Sequence, residues 1–196
     1  ASPFPSLTFS DKFYCVFLCL SGSLLEEAKM VDSRVPKNIF LAILAAGLLQ
    51  CFHDFPLLPE RIASHFGASG YANGWMTKSQ FLMTYAAILL PALVLEFWLP
   101  LRIARTSDKR LNLPNKEYWL APERRAETFA YFKNFFAWYG CVFLLLEVFA
   151  MGLAMRANFQ SPPRIPTVPI VSAIVVFLAF NIAWVVAMFR RFSRTR

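Results

Sequence analysis

Charged residues are spaced along this chain so as to leave four long apolar runs. The cleanest is Ile165 to Phe189, 25 residues without a charge between Arg164 and Arg190, with Pro166 and Pro169 placed to open a helix. Between Lys78 and Arg102 lie 23 residues interrupted only by Glu96, and between Lys133 and Arg156 lie 22 interrupted only by Glu147. The first run is shorter, 16 uncharged residues from Asn38 to His53, but Pro36 can begin its helix and Phe55 to Leu58 prolong the apolar stretch beyond Asp54. Crossing a hydrocarbon core of ~30 Å takes about 20 mostly apolar helical residues. The pattern therefore predicts spans near residues 36–55, 79–101, 134–155 and 166–189.

Composition agrees with that pattern. Of 196 residues, 57% are hydrophobic and 16% charged, whereas a soluble domain carries about a quarter charged. A disulfide scaffold, a disordered tail and an ordinary cytosolic enzyme are excluded. The expected fold is all-α, an integral membrane four-helix bundle with a structured extracytoplasmic loop. Phe13 to Leu25 is a further uncharged run, but its 13 residues are too few for a full crossing. Met30 opens a plausible start directly ahead of the first span, so residues 1–29 are expected to be an extension and 30–196 a single membrane domain.

Charge gives the orientation. Lysine and arginine are retained on the cytoplasmic flanks of spans. With four spans, 16 fall on the side of the termini and the middle connection, against 4 (Arg61, Lys78, Arg156, Arg164) on the other. Both termini are therefore expected to be cytoplasmic, in a bacterial cytoplasmic membrane. The net charge of +8 is concentrated beside spans, where anionic inner-leaflet lipid is the natural partner and nucleic acid is not. The four cysteines (Cys15, Cys19, Cys51, Cys141) form no C-x-x-C pair or zinc spacing and are expected to be buried free thiols. His53, Asp54 and His65 are the residues a metal would draw on, but they have no ligand spacing, and no metal or cofactor is expected. Protease and nucleotide motifs are absent from the chain, so no catalytic residue is assigned and the protein is expected not to be an enzyme.

The first outer loop is organised beyond what a connector needs. Pro59 can start a short helix that sets Arg61 and His65 four apart on one face, Gly67 would stop it, and Gly70 and Asn73-Gly74 suit tight turns. Trp75 would anchor the return at the interface, ahead of Lys78. The cytoplasmic loop carries Asn112, Pro114, Asn115, Lys116, Tyr118 and Trp119, then Pro122 to start a helix with Glu123 at its positive end and Arg124 and Arg125 behind. That helix is expected to lie on the membrane surface or to run straight into the third span. Its arginines would meet lipid phosphate or a cytoplasmic partner.

The string Leu58-Pro-Glu-Arg-Ile-Ala-Ser-His-Phe-Gly67, with Gly70, Asn73-Gly-Trp75 and Lys78, resembles the signature of the bacterial membrane domain of unknown function 1648. The loop motif from Asn112 to Arg125 is similar to short members of that family, and the resemblance covers roughly residues 36–190. It implies a multipass bacterial membrane protein. The domain also stands at the front of Sdp-type immunity proteins, which implies protection against a secreted toxin, although this chain lacks their additional spans.

Within the spans, Glu96, Glu147, Asn181 and Gln50 are the polar residues that need an account, since an ionisable group in a bilayer costs several kcal/mol unless paired or neutral. Their depths at ~1.5 Å per residue let Glu96 meet Asn181 near the inner side, and let Glu147 meet Gln50, Arg61 or His65 near the outer side. They read either as helix-packing groups or as a proton or cation relay. Pro91 should kink the second span. Two functions follow as expectations. One is a non-enzymatic sensor or immunity-type protein whose outer loop, through Pro59, Arg61, His65, Asn73, Gly74, Trp75 and Lys78, recognises an extracytoplasmic peptide, membrane-protein partner or envelope component. The alternative is a small proton- or cation-linked transporter, or an accessory subunit of one.

Overall fold

A computed structural model describes residues 34–195. The segment Phe13–Leu25, Cys15 and Cys19, and the expected extension 1–29 lie outside the described residues. Helix α1 (Arg34–Asp54) leads through a short 3-10 turn (Phe55–Leu57) into strands β1 (Arg61–Phe66) and β2 (Ala72–Thr77). The second span is α2 (Lys78–Leu93), a π-turn (Val94–Trp98) and α3 (Leu99–Ala104), followed by the short α4 (Lys116–Trp119), then α5 (Pro122–Ala157) and α6 (Thr167–Ser193). All four predicted spans appear as helices long and apolar enough to cross a membrane.

Helix α5 is the hub, with α1, α2, the π-turn, α3 and α6 all packing on it. At 36 residues it extends ~54 Å, well beyond a bilayer core, so the helix begun at Pro122 runs straight into the third span. Phe40, Leu89, Ala92, Cys141, Leu144 and Val148 close the seam between α1, α2 and α5. A separate aromatic core joins α5 to α6, with Phe135 stacked on Trp184 at 4.4 Å. Pro91 leaves the second span helical, and the break in its regularity comes just after, as the π-turn that carries Glu96.

The expected helix after Pro59 does not form. Arg61–Phe66 is instead a strand, paired antiparallel with Ala72–Thr77, and Asn73-Gly74 lies within β2 rather than at a turn. A six-residue segment is too short to hold a helix unaided, and its partners here come from far along the chain. The reversal is made at Gly67–Gly70. Gly70 has φ +82°, and a Cβ there would stand 2.6 Å from the Ile165 carbonyl oxygen, so both conformation and space demand glycine.

The connections divide cleanly between two ends. Tyr71 pairs with Arg164, Ile165 N–H donates to Gly70 C=O at 2.9 Å, and Ala72 N–H donates to Pro163 C=O at 3.3 Å, so the hairpin and the α5–α6 connection share one end. At the other end Asn115 Nδ2 and Trp119 Nε1 each donate to the Phe192 carbonyl at 3.0 Å, joining the 105–121 connection to the end of α6. This is the alternation a four-span chain requires.

Candidate functional site

The hairpin end is assembled from residues far apart in sequence. Ile62 and Leu58 sink into a cluster with Phe81, Tyr85, Met151 and Met155, which seats β1 on α2 and α5. Asn158, directly after α5, completes the attachment. Its Oδ1 accepts the Ala63 N–H at 2.7 Å, and its Nδ2 donates to the carbonyls of Ala63 at 3.0 Å and Ala154 at 2.9 Å. One amide thus stands in for a neighbouring strand on an edge that would otherwise leave buried backbone groups unpaired. Thr77 then caps α2 reciprocally with Gln80, which fixes where the hairpin hands over to the helix.

This construction sorts the predicted loop residues. Arg61, His65, Asn73 and Trp75 all remain exposed on the hairpin, with Pro59 exposed at its foot. The His65 Nδ1 is hydrogen-bonded to the Asn73 side chain. Gly74 sits opposite His65 where the register shifts, and a Cβ there would lie 2.8 Å from that of His65. Lys78 has a different task, since its Nζ donates to the carbonyls of Leu58 at 2.9 Å and Pro56 at 3.2 Å and lies 5.2 Å from the Phe55 ring centroid. It braces the chain leaving α1. His53 is hydrogen-bonded to Asp54 at 2.8 Å, so the two histidines have separate partners. Arg164, 4.9 Å over the Tyr71 ring, and Asn158 are the functional supports that sequence reasoning missed. A polar residue just past a long span was the only signal for Asn158.

The intramembrane polar residues do not form the expected pairs. Asn181 accepts from Tyr139 Oη at 2.6 Å and donates to Phe177 C=O at 2.7 Å, while Glu96 lies against Gly140. Gln50 lies over Gly152, its amide nitrogen 2.6 Å from where a Cβ would stand. Glu147 is half-buried on α5, and the Tyr85 hydroxyl donates to Gly47 C=O at 3.1 Å. Arg61 and His65 stay exposed on the hairpin. Oε2 of both Glu96 and Glu147 has no hydrogen-bond partner among the described residues.

At the opposite end, the motif from Asn112 to Arg125 holds the end of α6. Asn115, in left-handed conformation at φ 50°, and Trp119 both bind Phe192, whose ring packs against Trp119, Tyr131 and Phe132. Arg125 pairs with Asp108 at 3.1 Å and Arg124 lies 3.9 Å over the Tyr118 ring. Arg191 pairs with Glu127 at 2.9 Å and faces the Tyr131 ring at 4.6 Å. Asn112, Pro122 and Glu123 are exposed, and Pro114 and Lys116 half-buried.

Four crossing helices with two chemically distinct ends define a multipass α-helical membrane protein. Residues 39–95 match the model of the family described as Domain of unknown function (DUF1648). The matched unit is α1, the hairpin and α2 as far as the start of the π-turn, and it stops short of the 112–125 motif. Comparison with curated proteins and with solved structures gives no match.

Proposed function

We propose that this protein is a non-enzymatic recognition protein, of sensor or immunity type, in a bacterial cytoplasmic membrane, with the hairpin outside and both termini inside. One observation carries the reading: Arg61, His65, Asn73 and Trp75 stand exposed on the hairpin while other residues (Asn158, Lys78, Arg164, Ile62) hold it in place. A face that bracing does not consume is available to a ligand. Arginine supplies a planar fork for carboxylate or phosphate, and an exposed tryptophan supplies contact area at small entropic cost, a combination suited to an extracytoplasmic peptide or an anionic envelope component. The concentration of lysine and arginine around the 105–121 connection supports this orientation, because cytoplasmic flanks beside anionic lipid retain positive charge.

The test places a photo-crosslinking residue at Ser69, exposed at the hairpin tip, in living cells. An adduct with an envelope component is expected, and Arg61→Ala with His65→Ala and Trp75→Ala should reduce its yield at least tenfold at unchanged protein level. An adduct indifferent to all three substitutions would remove the basis of the reading. A second reading, proton- or cation-linked transport, is favoured by Oε2 of Glu96 and of Glu147, which have no hydrogen-bond partner among the described residues.

A further inference from the structure

The apolar stripe by which the second span meets its neighbours runs Phe81, Tyr85, Leu89, Ala92, and its next helical position is Glu96. The carboxyl is thus presented where an aliphatic side chain would be expected. Glu96 is 9% exposed, and its Oε2 lies 3.6 Å from the Cβ position of Gly140 with no hydrogen-bond partner among the described residues. Two helices pack against it. Helix α1 presents Phe40 and, one turn before it, Lys37, whose Nζ lies 6.0 Å from the centroid of the Phe97 ring beside Glu96. Helix α5 presents Gly140, next to it the buried thiol Cys141 and, two turns before Gly140, Lys133.

We propose that Glu96 is an intramembrane proton-binding site, lying toward the end of the bundle that Lys37 and Lys133 make basic. Burial among apolar groups favours the neutral acid, because a lone carboxylate in a bilayer costs several kcal/mol. The two lysines, on separate helices, favour the carboxylate. These opposed influences give the group two accessible states, and the proton is taken from and returned to water at the basic end, with no covalent change. The π-turn, whose wider ring replaces a regular turn around Glu96, is the element able to follow the change of charge. The proposal rests neither on the hairpin reading nor on any substrate crossing the membrane.

Dicyclohexylcarbodiimide, an apolar reagent that converts protonated carboxyl groups to stable acylureas, tests this on the full chain in lipid vesicles, with adducts mapped by mass spectrometry. Glu96 is expected to be modified in an acidic bath, with yield falling at least tenfold as the bath is made alkaline. Glu96→Gln, which keeps shape and neutrality, should abolish that adduct at unchanged helical content. Replacing both lysines (Lys37→Gln, Lys133→Gln) should move the fall toward alkaline pH. The proposal is overturned if Glu96 carries no adduct in acid, if its yield is flat across pH, or if the fall stays in place without the lysines.

Discussion

An Asn158→Ala variant is expected to keep its four helices and lose its hairpin platform. The substitution removes three hydrogen bonds and leaves the N–H and C=O of Ala63, which is 0% exposed, without partners. A buried backbone group left unsatisfied costs about 1–3 kcal/mol, so the hairpin should lose about 2–5 kcal/mol of attachment. An isolated two-stranded hairpin is marginal in water and has little reserve against such a loss. Hydrogen exchange over residues 61–66 should accelerate by at least tenfold, and trypsin should cut at Arg61, while far-UV circular dichroism stays helical. Asn158→Asp retains an acceptor for the Ala63 N–H but not the donor to its carbonyl, and should fall between. Unchanged protection in the alanine variant would mean that Ile62 and Leu58 alone seat the hairpin.

The second large effect is expected at the other end. Trp119→Ala deletes a hydrogen bond to the Phe192 carbonyl, a ring contact with Phe192 at 5.4 Å and a surface that Arg191 covers. Truncating a fully buried tryptophan costs about 3–5 kcal/mol; Trp119 is half-buried, so a smaller loss is expected, and it falls on the last turn of α6. Trypsin cleavage at Arg190 and Arg191 should become rapid in detergent or lipid discs. Trp119→Phe keeps most of the packing and loses the indole N–H, so about 1 kcal/mol is expected. Equal cleavage in all three proteins would contradict the assignment of this motif as the clamp on α6.

These two sites mark the boundary of what the sequence made legible. The spans were readable because charge is so costly in a bilayer that its spacing alone delimits them. Span three was readable, and its run-on from Pro122 was one of two open readings, since nothing between Pro122 and Lys133 stops a helix. The hairpin was not, because the conformation of Arg61–Phe66 depends on Asn158 and on β2. Helical spacing of Arg61 and His65 is a local property, and those partners are not local. Depth placed Glu96 and Asn181 at reachable heights, but rotation about each helix decides contacts, and it turns one toward Gly140 and the other toward Tyr139. The Asn112–Arg125 motif was conspicuous for good reason, yet most of its chemistry is directed inward at Phe192 and Asp108.

The most direct measurement of the central claim, a hairpin platform outside and a basic connection inside, is cysteine labelling in intact cells. In a Cys15→Ser, Cys19→Ser background, which retains the buried Cys51 and Cys141, single Ser69→Cys and Lys109→Cys variants are treated with a membrane-impermeant maleimide before and after permeabilisation. The account predicts that Ser69→Cys is modified in intact cells and Lys109→Cys only after permeabilisation. Modification of both from outside, or of Lys109→Cys alone, would contradict it.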